Sequence, residues 1–224
     1  MDNLKLSPFQ NNVLQIPECY DKFLGGGRGG AKSFTLALEA LRHIEQYGQQ
    51  AKILYLRRTY KGLADFESIL FELFTLVYGR NARYNSSAHV WSFKDGGFIE
   101  LGQLETETDY QKYQGRSFTL LMIDECGQYA DPALLDRLRS NLRGPADIPI
   151  RMILAANPGG PGHHWLAQRY ALKKPWAPFF EEKSKREWVT CPSTFLDNPF
   201  INQSEYKAQL ESSCPADPER CLDK

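Results

Sequence analysis

A glycine-rich segment that ends in lysine and serine, residues 25–33, has the composition of a phosphate-binding loop. Glycines allow backbone N–H groups to turn toward phosphate oxygens, and the N-terminus of a following helix adds the positive end of its dipole. Lys32 would contact the β- and γ-phosphates of a nucleotide, and the Ser33 hydroxyl would ligate Mg²⁺. The predicted nucleotide-binding positions are Gly26, Gly27, Arg28, Gly29, Gly30, Ala31, Lys32 and Ser33.

The match to the phosphate-loop pattern GxxxxGK[ST] is imperfect. Gly26 supplies the first glycine, but Ala31 stands where the pattern has the second. The alternative is a flexible glycine-rich turn with an incidental lysine. A strand pattern before the loop and a helix pattern after it favour phosphate binding.

An apolar strand pattern, residues 120–123, leads directly into two carboxylates, Asp124 and Glu125. At the end of such a strand, Asp124 can hold the Mg²⁺ of a bound nucleotide. Glu125 can act as the general base that polarises an attacking water. The alternative is a strand followed by an acidic helix cap. Together with the glycine-rich loop, the pair predicts ATP and Mg²⁺ as ligands and Glu125 as a catalytic residue.

Strand and helix patterns alternate along the chain and would bring both motifs to one edge of a sheet. Strands are predicted at 53–56, 118–123 and 150–155, and helices at 32–47, 63–78, about 132–142 and 203–212. The pair Asp95-Gly96 between two further strand patterns, 89–93 and 98–101, predicts a β-hairpin. Near-continuous apolar strands alternating with helices predict an α/β fold, a mostly parallel sheet flanked by helices on both faces.

Composition supports an ordinary globular domain. The 224 residues are 42% hydrophobic and 24% charged, with 27 basic and 27 acidic side chains. These proportions exclude a disordered chain, a collagen and a coiled coil, and we see no apolar run of the ~20 residues that a membrane span needs. The odd number of cysteines, five, indicates reduced thiols. We predict one domain over 1–224, in which 173–224 is a C-terminal extension or linker.

The wording and order of several motifs resemble the ATPase domain of the terminase large subunit of tailed bacteriophages. The segments that carry the resemblance are 27–33 (GRGGAKS), 56–59 (LRRT), 113–116 (YQGR), 121–125 (LMIDE), 155–160 (AANPGG) and 195–199 (FLDNP). The resemblance covers essentially the whole chain. It implies a P-loop NTPase fold of the additional-strand, catalytic-glutamate type.

The resemblance also implies a function. Members of this family hydrolyse Mg-ATP to translocate double-stranded DNA into a viral procapsid, at the portal vertex in the host cytoplasm. The expected partners are double-stranded DNA, the portal protein, the small terminase subunit and further copies of the chain in a ring, with no membrane. Large terminases usually continue into a nuclease domain, which we expect to be absent from this chain. We interpret the acidic cluster Glu105, Glu107 and Asp109 as a solvated loop and not as a nuclease metal site.

The resemblance suggests further site residues. Gln10 would contact the adenine edge, although it can equally be a polar residue of an N-terminal helix. Asn157 would sense the γ-phosphate and couple its loss to movement, although Asn-Pro-Gly-Gly is also strong turn chemistry. Arg28 and Arg116 are candidates for the transition-state cation, Arg28 within its own site and Arg116 in that of a neighbour. Arg58 is the weakest candidate, because an arginine at a strand end more often pairs with a carboxylate.

Three other functions remain open at this level. A helicase-like nucleic-acid translocase would need a second motor domain with further arginine motifs. A small P-loop kinase is disfavoured by Glu125 beside Asp124, since a kinase does not activate water. The third alternative is an assembly module that binds ATP without hydrolysing it. Two basic clusters, 173–174 and 183–186, are candidates for DNA contact, although charged surface is the commoner explanation.

Overall fold

The sheet that positions the two motifs is mixed, with a parallel centre and antiparallel ends. The computed structural model describes residues 4–213, and within them nine strands form one sheet in the order β3-β4-β5-β2-β6-β7-β1-β9-β8. The strands are β1 (Asp21–Gly26), β2 (Lys52–Arg57), β3 (Ala82–Asn85), β4 (Val90–Phe93), β5 (Phe98–Gln103), β6 (Leu120–Ile123), β7 (Arg151–Ala155), β8 (Pro178–Glu181) and β9 (Arg186–Ser193). Strands β5, β2, β6, β7, β1 and β9 run parallel.

Helices cover both faces of this sheet. They are α1 (Pro8–Gln15), α2 (Lys32–Tyr47), α3 (Leu63–Tyr78), α4 (Glu107–Tyr113), α5 (Ala133–Leu138), α6 (His163–Leu166) and α7 (Gln203–Ser213). Alternate residues of β2 enter two different cores, as strand geometry requires: Ile53 and Tyr55 lie in the core under α2 and α3, and Leu54 and Leu56 in the core under α4 and α5. The predicted α/β fold is therefore confirmed.

Several element boundaries agree with the sequence patterns. The helices at 32–47 and 63–78 are present with these limits, and β4 and β5 form the antiparallel hairpin expected around Asp95-Gly96. The helix predicted at 132–142 is shorter, because α5 ends at Leu138 and a 3₁₀ turn follows. None of the helices between residues 4 and 213 has the length and apolar character of a transmembrane span.

The region from residue 173 onward differs from the predicted extension or linker. Strand β9 pairs along its length with β1, the strand that leads into the glycine-rich loop, and β8 pairs with β9. Trp188 of β9 is fully buried. Residues 178–193 therefore belong to the sheet, and the lysines and prolines around them concealed the strand pattern. Of the five cysteines, Cys214 and Cys221 lie outside the described residues.

The acidic cluster is not a solvated loop, which corrects our interpretation. Asp109 is buried and forms a capping box with Thr106 at the start of α4. Burial opposes its ionisation, but hydrogen bonds from Lys112, Gln103 and backbone N–H groups prevail and hold the pKa of Asp109 below its usual range. Glu107 pairs with an arginine of α5. Within residues 4–213, no three His, Cys, Asp or Glu side chains lie together as a metal site would need.

Buried ion pairs hold α2 against the sheet behind the loop. Lys22 of β1 donates to Glu39 of α2 at 2.6 Å and to the Val13 carbonyl at 2.9 Å, and Arg151 of β7 lies 3.1 Å from the same carboxylate. Burial disfavours the Glu39 carboxylate, but Lys22 and Arg151 outweigh this effect and lower its pKa to about 2. Removing one partner of such a cluster typically costs about 3–5 kcal/mol. The pairs therefore fix the start of α2 relative to β1.

Candidate nucleotide-binding site

The glycine-rich loop connects β1 to α2 through backbone conformations that favour glycine. Gly26 has φ +102° and Gly29 has φ +78°. A Cβ atom on Gly26 would lie 2.0 Å from the carbonyl oxygen of Ser193 in β9, so no other residue fits there. Ala31 has φ 58°, which explains why the general pattern has glycine at this position. The departure from the pattern therefore alters the residue and keeps the backbone conformation.

Lys32 begins α2 and is folded into the loop. Its Nζ donates to the carbonyl oxygens of Gly26 at 3.0 Å and Gly27 at 2.6 Å, and the side chain is buried. Burial lowers the pKa of Lys32 to about 8, although the charge of Asp124 acts in the opposite direction. A phosphate placed in the loop would offer this ammonium group a stronger partner than two carbonyls.

Asp124 and Ser33 come together from distant parts of the chain. The Ser33 hydroxyl donates to Asp124 Oδ2 at 3.1 Å, because β1 and β6 both pair with β7 and end at the same edge of the sheet. Asp124 is buried, and its Oδ1 accepts the N–H of Glu125 at 2.9 Å. The sequence predicted this pairing of a loop hydroxyl with a strand-end carboxylate.

Arg57 is a site residue that the sequence reasoning missed. Its Nη2 and Nε donate to Asp124 Oδ2 at 2.6 and 3.1 Å, and Tyr55 donates to the same oxygen at 2.8 Å. Arg57 also donates to the carbonyl of Gly62. Its neighbour Arg58, which we had considered, points away and pairs with Glu105 at 3.3 Å. The basic strand end was the available signal, but the sequence did not show which arginine faces the site.

Glu125 lies at the rim of the site in a left-handed backbone conformation, with φ 52°. Its Oε2 accepts from Gln128 Nε2 at 2.6 Å, and its Oε1 is 3.9 Å from Arg57 Nη2. The side chain is 38% exposed, in contrast to that of Asp124 at 5%. Gln128 thus orients a carboxylate that water can reach, which is the arrangement that a general base requires.

A cavity of about 810 Å³ brings most of the predicted residues together. Its lining includes Gln10, Arg28, Gly29, Gly30, Ala31, Lys32, Ser33, Asp124, Glu125 and Asn157. Gly26 and Gly27 contact the cavity's lysine through their carbonyls. The volume falls within the roughly 300–1,000 Å³ of small-molecule sites.

Gln10 reaches the cavity from α1, but part of its side chain serves the helix. Its Oε1 accepts the Ser7 N–H at 2.8 Å, and its own N–H donates to Ser7 Oγ at 3.2 Å, which together form a capping box. Both interpretations of Gln10 therefore have a basis here, since the residue belongs to an N-terminal helix and also lines the cavity. Its carboxamide nitrogen is the group left to contact a base.

Asn157 lies two residues beyond the end of β7 and lines the same cavity. Its Oδ1 is buried and has no hydrogen-bond partner among the described residues. A buried acceptor without a partner typically costs about 1–3 kcal/mol. The position is therefore suited to a group that becomes hydrogen-bonded when a ligand or water enters.

The two candidate arginines occupy different places. Arg28 lines the cavity, whereas Arg116 lies outside it. Arg116 donates to both carboxylate oxygens of Glu100, with one contact at 2.8 Å, and its guanidinium is 5.1 Å from the Phe118 ring. Of the two, Arg28 is therefore the one placed to reach a nucleotide in the cavity of its own chain.

Three C-terminal residues in the cavity wall were missed as site residues. Asn198 donates from Nδ2 to the Gly29 carbonyl at 2.8 Å, and Phe200 and Tyr206 also line the cavity. A Cβ atom on Gly29 would lie 2.7 Å from the Tyr206 ring. The segment at 195–206 therefore packs directly on the glycine-rich loop. The FLDNP motif marked this segment, but its contact with the loop was not predictable.

The residues at the Ser33–Asp124 pair fit a magnesium ion. One hydroxyl and one carboxylate oxygen 3.1 Å apart are hard oxygen donors, of the kind that Mg²⁺ takes together with phosphate oxygens and water. Arg57 and Tyr55 hold Asp124 in a single orientation without occupying its Oδ1. The donor set therefore suits a metal that arrives with a nucleotide.

Comparison with known proteins gives one family and one fold. The family model of the phage terminase large subunit matches residues 20–220. No curated protein matches the chain. Two similar solved structures are the large terminase of bacteriophage HK97, with 16% identity, TM-score 0.68 and 98% of this chain covered, and the large terminase of a thermophilic bacteriophage in complex with ADP, with 15%, 0.67 and 92%.

A third similar structure is the large terminase ATPase domain of Thermus phage P74-26, with 9% identity and TM-score 0.64, over 98% of this chain and 94% of that domain. The chain spans about half of the HK97 terminase and of the ADP-bound terminase, 50% of each. These likenesses show that the sheet and its helices have the P-loop NTPase fold of terminase ATPase domains.

Proposed function

Because the chain belongs to the phage terminase large subunit family, we propose that it binds Mg-ATP in the cavity at the glycine-rich loop and hydrolyses it to drive DNA packaging. The observation that carries the proposal is the convergence of Lys32, Ser33, Asp124 and Glu125 in one cavity. Structures of the thermophilic phage terminase in complex with ADP and with ATP-γ-S support a nucleotide as the ligand.

Each residue has a distinct role in this proposal. The loop N–H groups and Lys32 bind the phosphates, and Ser33 and Asp124 hold the Mg²⁺, which neutralises charge on the phosphate oxygens. Glu125 accepts a proton from the attacking water, held in place by Gln128. Arg28 stabilises the transferred phosphoryl group from within the site, and Asn157 responds to the presence of the γ-phosphate.

The position of Glu125 favours hydrolysis over the alternatives. A kinase must exclude water from the transferred phosphoryl group, whereas Glu125 is 38% exposed at the rim of the cavity. A module that only binds ATP would not need a carboxylate oriented by a second side chain. We further propose double-stranded DNA, the portal protein, the small terminase subunit and other copies of the chain as partners, at the procapsid portal in the host cytoplasm.

The first test is phosphate release from ATP by the purified chain. We expect Mg²⁺-dependent hydrolysis that double-stranded DNA accelerates. Lys32→Ala removes charge-assisted contacts worth about 1.5–3 kcal/mol each and should weaken ATP binding about 10- to 100-fold, with loss of turnover. Lys174→Ala removes an exposed lysine outside the cavity and should behave like the parent. Normal turnover by Lys32→Ala would remove the phosphate-loop assignment.

The affinity for ATP should fall as the pH rises through about 8. The pKa of Lys32, ordinarily 10.5, is lowered to about 8 by burial, so the empty site loses its positive charge above this pH. A nucleotide favours the charged form, so binding above pH 8 must include uptake of a proton, and the affinity falls by up to about tenfold per pH unit. Titration with a fluorescent ATP analogue between about pH 7 and 9.5 measures this effect.

The control is Lys32→Ala, which should show a flatter dependence over the same range. An equal fall in both proteins would assign the effect to another group, such as the exposed thiol of Cys19.

A further inference from the structure

We infer that a groove beside β3 and β4 binds the phosphate backbone of double-stranded DNA. The groove has a volume of about 400 Å³ and is lined by Arg80, Asn81, Arg83, Ser92, Phe93 and Lys94, here called the edge groove. Among the described residues, no carboxylate belongs to this lining. The inference rests on the proposed function, since it assigns a contact surface to the DNA that the motor moves.

The fold places these side chains on one exposed face of the hairpin. Arg83 pairs with Ser92 across the β3–β4 ladder, and directly opposite residues share a face. Burial alternates along both strands, so that Arg83 and Ser92 are exposed while Trp91 is buried. Trp91 packs against Phe71 of α3, with ring centroids 4.7 Å apart. The aromatic face anchors the hairpin and leaves the basic face free.

The register brings Lys94 to the same groove. The backbone N–H of Lys94 donates to the Asn81 carbonyl at 2.9 Å, which continues the ladder by one residue beyond Ala82 and Phe93. Lys94 is therefore two residues from Ser92 on the same face. Arg80 precedes it across the ladder in a 3₁₀ turn and is also exposed.

The two arginines of the edge groove differ from most others in having no partner within the described part of the chain. Among residues 4–213, every arginine except Arg28, Arg80 and Arg83 makes an ion pair or hydrogen bond with the protein. Arg28 lines the nucleotide cavity, where a phosphate is the expected partner. The same reasoning assigns an external anion to Arg80 and Arg83.

Nearby acidic groups do not fill the groove. Glu45 and Asp95 line a separate cavity on the other side of Lys94, together with Tyr78. In that cavity they act on the Tyr78 hydroxyl, and burial followed by Glu45 and Asp95 raises its pKa above the usual range. Lys94 borders both cavities, so Arg80 and Arg83 provide the charge that belongs to the edge groove alone.

A DNA backbone matches this lining better than a small ligand or an acidic protein. Arginine, lysine, asparagine and serine are the side chains that most often contact phosphates, and such contacts are independent of base sequence. The apolar member of the lining, Phe93, is buried and offers little surface for a protein hot spot. The chain has no net charge, 27 basic against 27 acidic side chains, so its DNA contact must come from a local cluster such as this.

The basic clusters that the sequence suggested are weaker candidates. Lys185 pairs with Glu182 at 2.8 Å, Arg186 donates to the Ile150 carbonyl at 2.9 Å, and Lys173 lies 5.7 Å from the Phe179 ring. Their charge is therefore partly engaged within the protein.

The test compares two triple variants of the whole chain that lose the same charge. The groove variant combines R80Q, R83Q and K94Q, and the control variant combines K173Q, K174Q and K183Q. Binding to a double-stranded DNA duplex of mixed sequence is measured by fluorescence anisotropy at several salt concentrations. Each lost phosphate contact reduces the slope of log K against log salt by about 0.9, so the groove variant should lose about 2.7. The control should keep the parent slope.

Other readouts separate this inference from the proposed function. All the exchanged residues are exposed, so both variants should unfold at the parent temperature and hydrolyse ATP without DNA at the parent rate. The inference is overturned by a parent-like slope in the groove variant, by an equal loss in the control, or by a parent that binds no DNA at low salt. Loss of portal binding with intact DNA binding would assign the groove to a protein and also overturn it. Absent ATP hydrolysis in the parent would instead contradict the proposed function.

Discussion

Glu125→Gln should bind ATP about as tightly as the parent and hydrolyse it about 10²–10⁴-fold more slowly, the contribution of a general base. The amide has the shape of the carboxylate but cannot accept a proton from water. Its Oε1 can still accept from Gln128 Nε2, so the local structure is retained. The 3.9 Å approach of Arg57 to Glu125 is too long for its loss to unfold the site.

Two measurements check this expectation on the same preparations. Single-turnover phosphate release gives the chemical step, and titration with a fluorescent ATP analogue gives the affinity. Glu105→Gln is the matched control, because Glu105 is a similarly exposed carboxylate that pairs with Arg58 outside the cavity. A Glu125→Gln variant with the turnover of this control would show that another group activates the water.

The local parts of the site could be predicted from the sequence because their signals are local. The glycine-rich loop, the strand ending in Asp124 and Glu125, and the turn at Asn157 each carry their chemistry within a few consecutive residues. A parallel sheet brings strand ends to one edge, so the sequence also predicted that Ser33 would meet Asp124, and their side-chain oxygens lie 3.1 Å apart. The sites of these residues follow from type and order alone.

Features that depend on strand neighbours could not be predicted in this way. Arg57 contacts Asp124 because β2 pairs with β6 in the register Leu56↔Ile123, which places residue 57 beside residue 124. A register shifted by one residue would exchange the places of Arg57 and Arg58. Strand β9 is similarly defined by its pairing with β1, across most of the chain. Asp109 appeared exposed by composition, but a capping box buries it.

The arginine residues give the last and largest expected effect. A transition-state arginine contributes about 10³–10⁵ to the rate, so Arg28→Ala and Arg116→Ala should each reduce hydrolysis by this order in the assembled ring. Arg28 lines its own cavity. Arg116 lies outside it, bound to Glu100, and its side chain is 40% exposed. An ion pair this exposed is worth about 0–1 kcal/mol, so a neighbouring site can readily recruit Arg116.

Mixing inactive variants distinguishes the two arginines, with assays on portal-bearing procapsids or at high protein concentration so that rings form. In an equal mixture of Arg116→Ala and Glu125→Gln, about a quarter of the interfaces in a head-to-tail ring join an intact Glu125 to an intact Arg116 of the neighbour. Hydrolysis should return at those interfaces. A mixture of Arg28→Ala and Glu125→Gln is the matched control and should stay inactive, because every site lacks one of two groups that must come from the same chain. If the first mixture also stays inactive, Arg116 does not act in the neighbouring site, and Arg28 alone supplies the transition-state charge.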